Sequence, residues 1–299
     1  MTPDIGSGPP PAPPGRARAA PQSGGGGASW RHELGEEGAR GALIAFVATV
    51  VFVGVAVWLV LSSDTWPDVQ QQFFNPEDFR ESWPDVLGGF WLDIKMFVIA
   101  EVLILAFGLL VAVVRSLRGP AFFPLRALSV IYIDLFRGIP ILLILFLLGF
   151  GVPALQLPGV PNDPLFWGVT SLVLSYAAYT AEVYRSGIDS VHESQRAAAR
   201  SLGLTQWQTL RFAIVPQAIR NVVPALLNGL VSLQKDVALV SVLGVREAVR
   251  EAEIYKSRTF NYTSFVAATV LFLLASIPLA RLTDWYTRRE RQRRGQVVA

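Results

Sequence analysis

The chain has 299 residues, 52% of them hydrophobic and only 16% charged, whereas about a quarter of a soluble domain is usually charged. It has no cysteine, which excludes disulfides and thiolate metal sites, and its two histidines, His32 and His192, lie far apart in sequence. We therefore expect a membrane protein with no metal site and no cofactor. The net charge of +3 fits either nucleic acid or a membrane surface, and the distribution of basic residues favours the membrane.

The N-terminal part of the chain changes abruptly in composition. Residues 1–40 include the low-complexity stretch SGPPPAPPGRARAAPQSGGGG, which cannot bury a core and predicts a disordered tail. Residues 41–62 carry no charge and exceed the ~20 residues that a bilayer-spanning helix needs, so they predict a first transmembrane helix. The acidic stretch 63–90 that follows predicts a loop outside the membrane.

Five further apolar segments follow in the chain. They cover residues 96–114, 130–153, 165–184, 217–243 and 264–280. Their apolarity is continuous rather than alternating, which favours helices over the strands of a membrane barrel. The sequence therefore predicts an all-α polytopic membrane protein with about six transmembrane helices.

The distribution of lysine and arginine predicts the orientation in the membrane. The stretch 63–90 has one basic and six acidic residues, whereas 115–127 has three arginines and no acid. The connection 185–220 and the C-terminal tail 288–299 each contain five arginines. Six spans in the plasma (inner) membrane with both termini in the cytoplasm satisfy this distribution, although the basic residues of 244–263, which must lie outside, fit it less well.

The connection 193–216 has the pattern of a structured loop rather than a plain linker. It predicts a short helix, a stop at Gly203 in a left-handed conformation, a second short helix and a proline, Pro216, at the start of the next span. Ala197, Ala198 and Ala199 give the first helix a surface without bulk, which another protein could approach closely. The alternative is an amphipathic connector that lies on the lipid surface.

This segment resembles the cytoplasmic signature loop of ABC importer permeases, E-A-A-x3-G-x9-I-x-L-P. Gly203 and Pro216 are thirteen residues apart, as the motif requires, and Ala198 and Ala199 match its two alanines. Ala197 stands in place of the glutamate. Glu193, one helical turn earlier, is the candidate substitute, since residues four apart share a helix face.

Other segments are similar to the polar-amino-acid branch of these permeases. They are IDLFRGIP at 133–140, AAYTAEVYRSGIDSV at 177–191 and LVSLQKDVALVSVLGV at 230–245. The resemblance covers about residues 90–290 and implies a permease domain at 91–287 with the type I ABC importer fold. The span at 41–62 and the N-terminal tail lie outside it.

The resemblance also implies the partners and the docking residues. In this family the loop forms a coupling helix that docks on a separate ATPase subunit, so the permease itself is not an enzyme. An extracytoplasmic amino-acid-binding protein and a second permease subunit, identical or different, complete the importer, which works in the lipid bilayer without nucleic acid. The docking residues implied are Gln195, Ala197, Ala198, Ala199, Leu202, Gly203 and Pro216.

Charged and hydroxyl side chains inside the predicted spans are the candidates for the substrate pathway, because such charges are costly in a bilayer. These candidates are Glu101, Arg137, Tyr179, Thr180, Glu182, Lys235 and Asp236. Lys235 and Asp236 are adjacent and point in different directions, so each needs a partner of its own. Structural alternatives remain for others: Glu101 could reach the membrane surface, Arg137 could pair with Asp134, and the hydroxyl groups could serve helix packing.

Three functions are therefore weighed. The first is the permease subunit of an ATP-driven importer of a polar amino acid of the glutamate, glutamine or basic type. The second is an ion-coupled secondary transporter, which would call for paired repeats with broken helices that the sequence does not show. The third, a membrane scaffold, would leave Lys235 and Asp236 without a role.

Overall fold

The computed structural model describes residues 29–117 and 119–296. The chain divides into two units at residue 66, and each is described by itself. Residues 1–28 of the predicted tail lie outside the described residues. Residues 29–40, also predicted as part of the tail, belong to the first helix.

The first unit contains helix α1 (Ser29–Leu61). Its segment Leu43–Leu61 is long and apolar enough to cross a membrane. Apart from Thr49 and Gly54, this segment consists of apolar residues, and a helix that is apolar on all sides is typical of one surrounded by lipid or by other helices.

The second unit starts at Pro67, the second residue of α2 (Trp66–Phe73), and continues with the 41-residue helix α3 (Pro76–Ser116). The stretch 63–90, predicted as a loop, is therefore mostly helical. Asn75 caps α3, since its side-chain oxygen accepts a hydrogen bond from the Glu77 backbone N–H at 2.9 Å. Two of the six acidic residues that suggested a loop, Glu77 and Asp78, lie in the first turn of α3, where negative charge stabilises a helix.

The predicted third span is a broken helix. It consists of α4 (Phe123–Gly138), α5 (Ile141–Phe146), a π-helical segment (Leu147–Gly151) and α6 (Val152–Ala154). The two halves are bent by 107°. Pro140 explains the break, because it has no N–H to donate and it forces Ile139 into an extended conformation, with ψ of 130°.

The remaining helices complete the second unit. They are α7 (Pro164–Asp189), α8 (Glu193–Ser201), α9 (Gln206–Gln208), a π-helical segment (Thr209–Ile214), α10 (Val215–Asp236), a 3-10 segment (Val237–Leu243), α11 (Ala248–Thr259) and α12 (Thr263–Gln296). The basic tail 288–299 continues α12 up to residue 296. There is no strand in the described ranges.

The number of spans is close to the predicted six. Four helical segments of the described residues are long and apolar enough to cross a membrane, and the bent pair makes a fifth. Helix α7, the predicted fourth span, has 26 residues but does not reach that apolarity. It packs against α3, α4 and α10, and its polar residues Ser171, Ser175 and Thr180 are buried.

The core lies where α3, α7 and α10 meet. Met96, Leu172 and Leu233 are buried there. Small residues allow the helices to approach closely: a Cβ atom on Gly187 of α7 would lie 2.0 Å from Val222 Cγ1 of α10. Such close contact of small residues is typical of helices that pack inside a membrane.

Candidate translocation cavity and coupling loop

A cavity of about 630 Å³ lies between α3, the break after α4, α7 and α10. Five of the seven predicted pathway residues line it, namely Glu101, Arg137, Tyr179, Thr180 and Asp236. These residues come from four helices and from positions up to 135 residues apart in sequence. Their convergence on one cavity is a property of the fold that no single motif contains.

Asp236 is fixed by a hydrogen bond inside the cavity. The Tyr176 hydroxyl donates to Asp236 Oδ2 at 2.7 Å, and both residues line the cavity. Tyr176 is missing from the predicted pathway set. Its spacing from Tyr179 and Thr180, three and four residues, puts it on the same face of α7 and is the signal that could have found it.

Arg137 lies against α7 rather than against its own helix. Its guanidinium group is 5.5 Å from the centre of the Tyr179 ring, a cation–π distance. The Tyr179 hydroxyl donates to the Arg137 backbone oxygen at 3.2 Å. The alternative pairing with Asp134 is not observed among the described ion pairs.

Glu101 is partly buried in the middle of α3 and faces the same cavity. It has no ion-pair or hydrogen-bond partner within the described part of the chain. The cavity therefore holds one guanidinium group and two carboxyl groups, of which one is held by a tyrosine and one is unpartnered. Such a set can bind a carboxylate at one point and ammonium or guanidinium groups at the others.

The other two predicted pathway residues, Glu182 and Lys235, do not line this cavity. Glu182 forms ion pairs with Arg115 of α3 and, at 3.2 Å, with Arg185. Lys235 lines a separate cavity of about 420 Å³ next to α12. Consecutive residues of a helix point about 100° apart, so Lys235 and Asp236 reach different cavities.

The coupling loop ends its first helix as predicted. Gly203 has a φ of 80°, its N–H donates to the Arg200 oxygen at 2.9 Å, and the Leu204 N–H donates to the Ala199 oxygen at 3.2 Å. This pair of bonds is the Schellman motif, in which glycine is favoured because it adopts positive φ without strain. Pro216 is exposed near the start of α10.

The alanines of this loop do not all form one external surface. Ala197 and Ala198 are exposed, whereas Ala199 is only 6% exposed and packs inside the protein. Gln195 and Leu202 are exposed as well. Ala199 is therefore not accessible on the surface of this chain, whereas the other predicted docking residues, Gln195, Ala197, Ala198, Leu202, Gly203 and Pro216, are exposed.

Glu193, the candidate substitute for the missing glutamate, is engaged within the loop. Its Oε1 atom accepts a hydrogen bond from Arg200 at 3.2 Å, and its Oε2 atom lies 3.7 Å from Arg196 Nε. Arg196 is partly buried and also donates to the Ile188 backbone oxygen at 3.2 Å. The loop thus holds its own shape through polar contacts on one side of α8.

Comparison with known proteins places the chain in a family. Residues 104–292 match the model of binding-protein-dependent transport system inner membrane components. The chain belongs to this family. The probable amino-acid permease protein YxeN of Bacillus subtilis is 32% identical, over 69% of this chain and 92% of its own length. The arginine transport system permease protein ArtQ of the same organism is 32% identical, over 65% of this chain and 87% of its own length.

Solved structures agree with the family. A crystal structure of an amino acid ABC transporter with histidines has a TM-score of 0.63 and 30% identity, and the match covers 69% of this chain and 94% of that one. The MetNI methionine ABC transporter, at 18% identity and a TM-score of 0.55, shows a likeness of fold alone. The resemblance to amino-acid ABC importer permeases is thus confirmed. The comparisons also confirm the all-α type I permease fold and the multi-pass membrane character. They support the permease function in preference to an ion-coupled transporter.

Proposed function

We propose that the chain carries a polar amino acid across the plasma membrane through the cavity of Glu101, Arg137 and Asp236. A separate ATPase subunit hydrolyses ATP, an extracytoplasmic binding protein delivers the amino acid, and a second permease subunit completes the pathway. Both termini lie in the cytoplasm in this proposal, as the distribution of arginine indicates. The names of the relatives, among them an arginine permease and an amino acid transporter, support the cargo class.

The observation that carries the proposal is the convergence of these three charged residues on one cavity. A volume of about 630 Å³ lies within the range of ~300–1,000 Å³ that is usual for small-molecule sites. Arg137 suits the carboxylate of an amino acid, and the carboxyl groups of Glu101 and Asp236 suit its positive groups. Two acidic residues against one basic residue favour a cargo with a basic side chain.

Reconstituted transport tests this assignment. The chain, its ATPase subunit and its binding protein are placed in proteoliposomes, and ATP-dependent uptake of labelled arginine is measured. Asp236→Asn removes a charged partner, and we expect uptake at low substrate concentration to fall about tenfold or more. Lys235→Gln is the matched control, since it changes the charge of the neighbouring residue in a different cavity. Equal loss in both variants, or loss in neither, contradicts the assignment.

The ATPase partner is tested at the coupling loop. Ala198 is exposed on α8, so Ala198→Arg adds bulk to the proposed docking surface without entering the protein core. We expect this variant to insert normally and to lose co-purification of the ATPase subunit, whereas Ala198→Ser at the same position retains it. Full retention of the partner by the arginine variant would show that α8 does not dock there.

A further inference from the structure

A second large cavity lies on the other side of the coupling loop. It has a volume of about 630 Å³ and is bounded by α8, by α9 with the π-helical segment that follows it, and by the end of α3 at Ser116. The exposed docking residues Gln195, Ala198 and Leu202 do not line it. A role for this cavity is therefore separate from the docking surface.

Buried polar atoms without partners concentrate at this cavity. In the described part of the chain, three buried side-chain atoms lack a hydrogen-bond partner: Asp93 Oδ1, Arg196 Nε and Thr209 Oγ1. Two of these residues, Arg196 and Thr209, line the cavity, and Thr209 is only 5% exposed. Buried polar groups are normally satisfied, so an unsatisfied pair at one cavity indicates a group that binds there.

The backbone around Thr209 is unusual in the same place. Thr209 is the first residue of the π-helical segment Thr209–Ile214. This conformation is rare and is frequently found at functional sites. The capping box of α9, in which Thr205 and Gln208 exchange hydrogen bonds, holds the start of this segment in position.

The charge of the cavity favours an anion. Its charged lining consists of Arg196, Arg200 and Glu193, so two guanidinium groups oppose one carboxylate. Glu193 accepts one hydrogen bond from Arg200, and its distance of 3.7 Å from Arg196 Nε is too long for a second. Free N–H donors and a threonine hydroxyl suit a ligand with several acceptor oxygens, and the planar guanidinium group matches a phosphate well.

The surroundings indicate where such a phosphate comes from. Trp207, which lines the cavity, is 68% exposed, and Phe212 of the π-helical segment is also exposed. Exposed aromatic residues next to basic ones are typical of the interface between membrane and water. Basic pockets between membrane helices on the cytoplasmic side bind anionic lipid head groups.

We propose that this cavity binds the phosphate of an anionic phospholipid from the cytoplasmic leaflet, held by Arg196, Arg200 and Thr209. The assignment of the leaflet rests on the orientation given in the proposed function. The lipid links α8 to the π-helical segment that precedes α10. Helix α10 in turn lines the translocation cavity. The coupling loop is then stabilised from its membrane side by lipid, while its exposed side remains available to the ATPase.

Native mass spectrometry of the full chain in detergent tests the proposal, with phosphatidylglycerol as the probe and phosphatidylethanolamine for comparison. We expect the wild type to retain phosphatidylglycerol. Thr209→Val and Arg196→Gln should each bind this lipid about tenfold more weakly, since each change removes a hydrogen bond to the charged phosphate. Thr209→Val is the cleaner variant because the hydroxyl has no partner within the described residues. Arg288→Gln removes the same charge from the exposed end of α12 and is expected to bind like wild type.

Several results would overturn the proposal. Unchanged binding in Thr209→Val and Arg196→Gln, or equal weakening in Arg288→Gln, would mean that the cavity does not hold the lipid. Displacement by millimolar inorganic phosphate would identify a free anion as the ligand, and displacement by the ATPase subunit would identify a partner protein. Because binding is measured without transport, failure here leaves the uptake test of the proposed function unaffected.

Discussion

The replacement of Glu247 by glutamine gives a quantitative test of the burial of this carboxyl group at the start of α11. Glu247 precedes α11 and is fully buried. Its carboxylate accepts hydrogen bonds from the backbone N–H groups of Val249 at 2.9 Å and Arg250 at 2.7 Å. Burial raises the pKa of Glu247 from 4.5 to about 7, because the loss of water outweighs the effect of these two donors.

The sign of the resulting pH dependence follows from linkage. The folded protein holds the Glu247 proton more tightly than the unfolded chain does, so this residue favours the folded state most at acidic pH. The contribution is lost as the pH rises from 4.5 through about 7. A pKa shift of this size lowers the free energy of unfolding by about 3 kcal/mol, as an order of magnitude, once the pH is above the pKa of the folded protein.

The assay is thermal unfolding of the detergent-purified chain between about pH 5 and about pH 8. We expect the midpoint of the wild type to fall as the pH rises, and that of Glu247→Gln to be less dependent on pH, because glutamine fills the same space without ionising while the neighbouring Asp93 carboxyl group remains. Glu253→Gln is the control, since Glu253 is exposed and pairs with Arg250 at 2.6 Å. Parallel pH profiles for wild type and Glu247→Gln would refute the reasoning.

Three further substitutions test the loop and the core. Gly203→Val forces a branched residue to adopt positive φ, which costs about 1–2 kcal/mol. We expect this variant to insert normally and to lose co-purification of the ATPase subunit, whereas Gly203→Asn retains more of the ATPase. Gly187→Ala places a Cβ atom 2.0 Å from Val222 and is expected to lower the stability by about 1–3 kcal/mol in thermal unfolding, unlike Gly229→Ala, where nothing lies within 4 Å. Ala199 is buried, so we expect Ala199→Arg to reduce the yield of folded protein as well as the co-purification of the ATPase subunit.

Local features of the fold were open to prediction from sequence. The end of α8 at Gly203 depends on a few neighbouring residues, and the Schellman motif formed as expected. The break at Ile139 and Pro140 has an equally local cause, but the apolar residues continue across it, so hydropathy alone indicated one unbroken span. The acidic stretch 63–90 suggested a loop by its charge, although two of its acidic residues, Glu77 and Asp78, suit the first turn of α3.

Features that depend on packing between distant helices were not open to prediction. The sequence shows that Lys235 and Asp236 point in different directions, but only the positions of α7 and α12 determine which cavity each reaches. Ala199 is buried in a loop whose helix α8 packs against the π-helical segment Thr209–Ile214, and composition cannot reveal this packing. Tyr176 becomes a site residue through its bond to Asp236, sixty residues away.

The central claim is that the charges of the translocation cavity recognise the cargo, and the ratio of arginine to glutamine uptake tests it most directly. Initial rates of ATP-dependent uptake are measured in proteoliposomes for wild type and Asp236→Asn, with equal amounts of protein and a saturating amount of binding protein. We predict that wild type favours arginine and that the variant loses arginine uptake about tenfold more than glutamine uptake. An unchanged ratio would contradict the account, because it would show that Asp236 does not meet the cargo.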